Sequence, residues 1–376
     1  MVLDRYDEKT YTLPVWQGNT VYHEDVLFYK NRNSARLLYP ISEIVSVRSY
    51  DLKTKYKEGK DFFIENGLLT LRENTSIPVW EIEPFTKTPS NHVFPVRDSD
   101  LFLTETCCIE MRRRSLSVSY KHTEVWSDGY SGKGIGSLRE KLPQIFSKLD
   151  SGEELNILLY GDSMSSGWGS SGSYSCDRIF DATNTGSCYE TCINVPPYSP
   201  AWYDMFVSVL GKMYPNCRIN LDNISLGGKG AQWGAQNASA RLALTKHRPD
   251  VVLIGFGIND SCGGVTPSDF GKYIGDIIDI IRNDENGNKD ACFVPFSCHT
   301  CNEDAECYPL SRFLDYEEVM RKMSEKDKNI GYIPLTSLFA DMSKSKCALD
   351  RLENNINHCM DMGGRIYAQA MIESFK

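Results

Sequence analysis

The sequence predicts a two-part chain: an all-β sandwich over residues 1–145, then an α/β domain over 146–376 with a five-stranded parallel sheet between two helical layers. Three observations predict it. Up to about residue 145 the apolar residues fall in short, partly alternating runs between turn signals, and no segment of helical period intervenes. From about residue 152 apolar runs alternate with amphipathic ones, the pattern of βα units whose parallel sheet is covered on both faces. Between the two parts, Gly129, Gly132, Gly134 and Gly136 form a glycine-rich linker.

In the first part, VYHEDVLFY, ARLLYPISEIVSV, KDFFIENGLLTLRE and LFLTETCCIEMRRRSLSVSY read as strands rich in β-branched and aromatic residues. Glu65-Asn66-Gly67 reads as a hairpin turn. The basic run Arg112-Arg113-Arg114 reads as a solvated strand or strand end. LREKLPQIFSKL is a short amphipathic lead into the second part. There the strands are LNILLY, RINLDNIS, DVVLIGFG, ACFVPF and IGYIPL. The helices are WYDMFVSVLGKMY, QWGAQNASARLALTKH, DFGKYIGDIIDIIRN, DYEEVMRKMSEK and the closing GRIYAQAMIESF. Sheets of this kind bind ligands at the carboxyl ends of their strands.

Composition narrows the function classes. A length of 376 residues suits two domains, and 41% hydrophobic with 24% charged residues allows a sizeable core. A net charge of −9 without a basic stripe argues against nucleic acid as partner. No apolar run approaches the roughly 18 residues of a membrane span, so no membrane partner is expected. The opening MVLDRYDEKTYTL has no apolar signal core. Sequons occur at Asn74, Asn223, Asn237 and Asn259, two of them inside the candidate site, where a glycan would block it. The opening is compatible with either compartment, and the sequons lean toward the cytoplasm over a secretory history. Thirteen cysteines include two clusters, Cys176/Cys188/Cys192 and Cys298/Cys301/Cys307, readable as bridges or as free thiols. Cys298-His299-x-Cys301 with Cys307 could also hold zinc but matches no strong zinc template, so no metal is expected, and no other cofactor is expected either.

The chemistry lies where strands end. The first runs into Gly161-Asp162-Ser163, the second into Gly227-Gly228, and the third into Gly257-Ile258-Asn259-Asp260; Asn355-Ile356-Asn357-His358 sits near the chain end. Acyl transfer needs a nucleophile, a base and donors for a developing oxyanion. Ser163 suits the first role. His358 suits the second, as a neutral imidazole near pH 7. The backbone N–H groups of Ser163 and Gly228 with the Asn259 amide suit the third, and glycine at 228 allows the backbone to approach substrate closely. Each residue has a plainer reading: Ser163 and Asn259 as helix caps, the glycine pair as a tight turn. Four blocks in this order, each after a strand or in the last loop, favour the catalytic reading.

These blocks (GDS at 161–163, NISLGG at 223–228, GIND at 257–260 and the histidine at 358) resemble the SGNH, or GDSL-type, hydrolases over roughly residues 152–376. VSYKHTEVW, PPYSPAWYDMFVSVL and HRPDVVLIGFGIND are similar to bacterial members with an N-terminal β-sandwich. The resemblance implies a flavodoxin-like catalytic fold and a serine esterase removing acetyl or related groups from polysaccharides, with Ser163, Gly228, Asn259 and His358 as its functional residues. In one respect the chain departs: the family's last block is Asp-x-x-His, and position 355 is Asn. An amide can accept the imidazole N–H but carries no charge. Asp361, Glu353 and Asp350 are alternative orienters of His358; Asp361 reads better as the N-cap of the closing helix. Trp168 and Trp233, just after catalytic blocks, are either core residues or platforms for a sugar. His23, His92, His122, His247 and His299 carry no motif. No G-x-S-x-G, Walker A, G-x-G-x-x-G or H-E-x-x-H pattern occurs. Two rival functions stay open: an esterase or thioesterase on lipid or aryl substrates, and a lapsed enzyme that binds glycans. The acyl group, the glycan and the oligomeric state are not legible.

Overall fold

The computed structural model describes residues 5–89, 93–106, 108–124, 136–172 and 195–376. The N-terminal region forms strands β1 (Thr20–Val26), β2 (Ser34–Ala35), β3 (Glu43–Ser49), β4 (Lys55–Tyr56), β5 (Phe62–Glu65), β6 (Leu68–Leu71), β7 (Phe85–Thr86), β8 (Phe102–Leu103) and β9 (Leu116–Lys121). They pair into antiparallel sheets of order β1-β9-β3-β4, β2-β6-β5 and β7-β8. The expected hairpin joins β5 to β6: Glu65 pairs with Leu68, and Asn66 and Gly67 take φ of 51° and 77°, the two left-handed residues of a type I′ turn. One expectation fails here. The segment read as a strand over 101–120 is broken by a helix, Cys108–Arg114, between β8 and β9. The basic run lies on that helix, and Arg112 is buried, not solvated. Two carboxylates, Glu353 and Asp361, make that burial tolerable.

The C-terminal region forms parallel strands β10 (Leu155–Gly161), β11 (Ile219–Asn223), β12 (Val251–Gly255) and β13 (Cys292–Pro295), in the order β11-β10-β12-β13. Alternate residues of β10 enter different cores: Ile157 and Leu159 on one face, Leu158 and Tyr160 on the other. Helices cover both faces, which is why the strand reads as a continuous apolar run. The expected fifth strand is reduced to isolated parallel bridges, Phe293 to Ile330 and Phe296 to Ile333. Its backbone still bonds the sheet, Gly331 N to Phe293 O and Ile333 N to Pro295 O. Pro295 has no N–H to give, so the rung between them cannot form and the ladder splits.

The closing helix, Asp361–Ser374, is buried along nearly its whole length, with Asp361, Arg365 and Gln369 buried among its apolar residues. It packs on the helix Trp202–Met213 and on β1. Gln369 ties it to the N-terminal region, accepting from Val15 N and donating to Tyr11 O. One apolar core therefore runs from Val21, Val47 and Tyr120 to Phe146, Phe339 and Ile366. Among the described residues no helix is long and apolar enough to cross a membrane.

Candidate active site

β10 ends at Gly161, where any Cβ would lie 2.2 Å from Gly255 O and 2.3 Å from Ser165 Oγ. Only glycine fits so close to β12, and the chain turns sharply beyond it. Asp162 N donates to Gly255 O, and the Asp162 carboxylate accepts Met164 N. This turn leaves Ser163 at the carboxyl edge of the sheet, 5% exposed. β11 is fastened to the same corner: Leu226 N bonds Gly161 O, and Asn223 Nδ2 donates to Ser165 O. Gly227 comes next to the serine, since a Cβ there would lie 3.6 Å from Ser163 Cβ. Gly228 has open space around it but a φ of +73°. The left-handed backbone by itself favours glycine at 228.

The helix Ile258–Cys262 carries the third block. Asn259 Nδ2 donates to Lys229 O at 3.0 Å, which aims one amide hydrogen along the glycine loop and leaves the other for a ligand. Asp260 holds the same loop by accepting Ala231 N at 2.8 Å. Burial pushes the Asp162 carboxyl up to about 7 and the Asp260 carboxyl up to about 6. Both serve the backbone here.

His358 meets Ser163 across the edge, Nε2 to Oγ at 3.0 Å. Burial of the ring pushes its pKa down to about 4, so it is neutral at physiological pH. The Trp168 indole stacks on it, centroids 4.4 Å apart and planes 26° apart. Trp168 Nε1 also reaches Gly227. This tryptophan is thus a wall of the site against His358. Trp233 is partly buried against the second core, with Lys229 Nζ over its ring, 5.5 Å from the ring centre.

The structure brings Ser163, His358, Gly228 and Asn259 to one rim, and separates the expected orienters from it. Asn355 is fully buried with φ of 62°; its Nδ2 donates to Pro84 O and Thr104 O, and its Oδ1 accepts from Asn302 Nδ2. Asp361 is the first residue of the closing helix rather than its N-cap; its carboxylate accepts Ser171 N and Oγ at 2.7 Å and Arg112 Nη1 at 3.3 Å. Glu353 faces Arg112 at 2.5 Å, and Asp350 binds Arg32 and Leu27 N. The group that faces His358 Nδ1 is Asn354, through Nδ2 at 3.3 Å. Sequence reasoning passed over it because it sits one residue outside the family's spacing. It also passed over Arg112, which bonds Gly169 O, Glu353, Asp361 and the Tyr50 hydroxyl, and so joins the loop after Ser163 to the histidine loop. Nothing in a run of three arginines singles out the buried one.

Of the cysteine clusters, Cys176, Cys188 and Cys192 lie outside the described residues, as does His92. Cys298 and Cys301 are buried thiols with pKa raised by burial. Cys307 instead meets Cys262, Sγ to Sγ at 3.5 Å. Among the described residues no group of three or more His, Cys, Asp or Glu is placed to hold a metal ion. His23, His122 and His299 are buried and hydrogen-bonded, and His247 bonds Asp222.

The model of the GDSL-like lipase/acylhydrolase family matches residues 159–352 and stops before His358. No curated protein matches the chain. Solved structures similar to it include a two-domain esterase (CEX) active on acetylated mannans, at 18% identity over 62% of this chain and 52% of that one, with a TM-score of 0.42. The chain thus spans about half the length of that esterase. Axe2, an acetylxylan esterase from Geobacillus stearothermophilus, is 16% identical over 59% of this chain and 94% of its own, TM-score 0.43. A GDSL-like lipase from Parabacteroides merdae is 18% identical over 59% and 96%, TM-score 0.42.

Proposed function

We infer from one premise, that the chain belongs to the GDSL-like lipase/acylhydrolase family and is a carboxylic ester hydrolase, that it removes small acyl groups from carbohydrate. The observation that carries the reading is the 3.0 Å contact of Ser163 Oγ with His358 Nε2 at the carboxyl edge of a parallel sheet. In the proposed reaction His358 takes the Ser163 proton as Oγ attacks the ester carbonyl. The oxyanion is met by the N–H groups of Ser163 and Gly228 and by the free hydrogen of Asn259 Nδ2. Collapse expels the sugar hydroxyl, protonated by the imidazolium. Water, activated by the same ring, then frees the acid and restores Ser163.

A small acyl group is favoured because Trp168, from its stack on His358 to its reach at Gly227, walls a serine that is only 5% exposed. Carbohydrate is favoured by the sequence resemblance. The test is a series of p-nitrophenyl esters of rising chain length, followed by acetate release from acetylated polysaccharides. Turnover confined to acetate and its near neighbours, with release from at least one glycan, is expected. A preference for octanoate or longer would move the enzyme to lipid esters. Glycan binding without turnover would make it a lapsed enzyme.

A further inference from the structure

The group behind the base is an amide facing the wrong way for a triad. Asn354 Oδ1 accepts Ile356 N at 3.0 Å, Asn357 N at 2.9 Å and His358 N at 3.1 Å. Rotating the amide by 180° would turn its NH2 against those donors, so the orientation is fixed by the loop's own backbone. The NH2 therefore points inward. One hydrogen goes to Asn357 Oδ1 at 2.9 Å, and the other faces His358 Nδ1 at 3.3 Å. Asn357 is pinned in turn, its Nδ2 donating to the Tyr308 hydroxyl and its carbonyl facing His299 Nε2. A neutral imidazole has one N–H and one lone pair. Opposite an N–H donor, Nδ1 must carry the lone pair.

We propose that Asn354 is the positioning residue of His358 and holds the resting ring as the Nε2–H tautomer, which donates to Ser163 Oγ instead of accepting from it. This rests on His358 being the base. Turnover then requires the ring to lose its Nε2 proton and gain one at Nδ1 before Ser163 is activated. The imidazolium formed during acylation presents Nδ1–H to an amide N–H, with no carboxylate to stabilise it. The nearby acids are committed elsewhere: Glu353 and Asp361 to Arg112, and Asp350 to Arg32. His299 is itself held neutral by burial. In a serine-protease triad, the wrong tautomer costs about 10⁴ in kcat. The loop is nevertheless one atom from a triad. In Asn354→Asp one oxygen can keep the backbone donors and the other can accept Nδ1–H, while the Asn357 amide reverses, donating to the new carboxylate and accepting from Tyr308.

Two measurements test this. The chain has six histidines, so selective 15N labelling resolves their ring nitrogens, with His358 assigned by its loss in His358→Gln. The wild type should show His358 protonated at Nε2; protonation at Nδ1 overturns the proposal without recourse to any variant at 354. Asn354→Asp should raise kcat by between tenfold and about 10⁴-fold. It should also move the acid limb of kcat/KM upward by a pH unit or more, because a carboxylate stabilises the protonated ring. Unchanged kcat and an unchanged limb in a folded Asn354→Asp protein overturn it. If His358→Gln keeps full activity, the base assignment fails instead, whatever the tautomer.

Discussion

The Ser163 corner and the His358 loop face each other across 3.0 Å, yet the first is held by the backbone of a sheet and the second by side chains from remote parts of the chain. At the serine, β10, β11 and β12 fix the turn through Asp162 N, Leu226 N and a glycine against Gly255. At the histidine, a loop closed by the Leu352–Cys359 bridge hangs on Arg112, on Asn302, and on the carbonyls of Pro84 and Thr104. A sheet edge repeats wherever the fold repeats. The histidine loop depends instead on four separate polar contacts with residues far away in the chain. The serine corner thus rests on strand-to-strand backbone bonds, while the histidine loop rests on buried side chains, with amides at Asn354 and Asn355 where the sequence resemblance leads one to expect an acid.

Substitutions at the two sides sharpen the contrast. The largest effect belongs to the serine. Ser163→Ala should lower kcat by about 10⁴–10⁶-fold, the range for loss of a serine nucleophile. Its Tm should hardly move, because the corner is built by the backbone and not by the hydroxyl. Retained hydrolysis would remove Ser163 from the mechanism. Next comes the brace of the histidine loop. Arg112→Met leaves Glu353 and Asp361 buried without their cation, which typically costs about 3–5 kcal/mol. Because Gly169 and Glu353 lose their common tie, kcat should fall as well, by up to about 10²-fold for a misplacement near 1 Å. Urea denaturation and initial rates on the same preparation separate the two losses. Full stability and full rate together would show that the loop stands without its brace.

The sequence was legible where the sheet does the work. Gly161-Asp162-Ser163, Gly227-Gly228 and Gly257–Asp260 each follow a strand, and period and turn chemistry were enough to place them. It was illegible where the placement depends on partners far away in the chain. Nothing local distinguishes Arg112 from Arg113, or shows that Asn355 reaches Pro84 while Asn354 reaches His358. Alternation alone also hid the helix Cys108–Arg114, since tertiary contacts of its buried arginine decide that segment. Pro295 was visible all along; its missing donor is the reason the fifth strand is a broken edge.

Asn259→Ala tests the serine side again, at smaller cost. Removing one oxyanion donor typically lowers kcat by about 10²–10³-fold. The same amide bonds Lys229 O, so a structural role alone would appear as a lower Tm with kcat nearly kept. A loss in kcat of only a few-fold would move the donor role elsewhere.

Asn355→Asp has the smallest effect and the sharpest meaning, because it restores the family's acid at the family's position. In this molecule Asn355 is fully buried, and its NH2 satisfies two backbone carbonyls at 3.1 and 3.0 Å. A carboxylate there would set an acceptor against acceptors and leave both carbonyls unpaired. A destabilisation of about 1–3 kcal/mol is expected, as for a buried group left without its partner. The left-handed backbone at φ 62° suits Asp nearly as well as Asn, so conformation would not add to the loss. No gain in kcat is expected, since the side chain points toward the N-terminal region and not toward His358. Urea midpoints with initial rates decide it. A faster and equally stable Asn355→Asp enzyme would return the orienting role to position 355 and make the histidine loop as regular as the serine corner it faces.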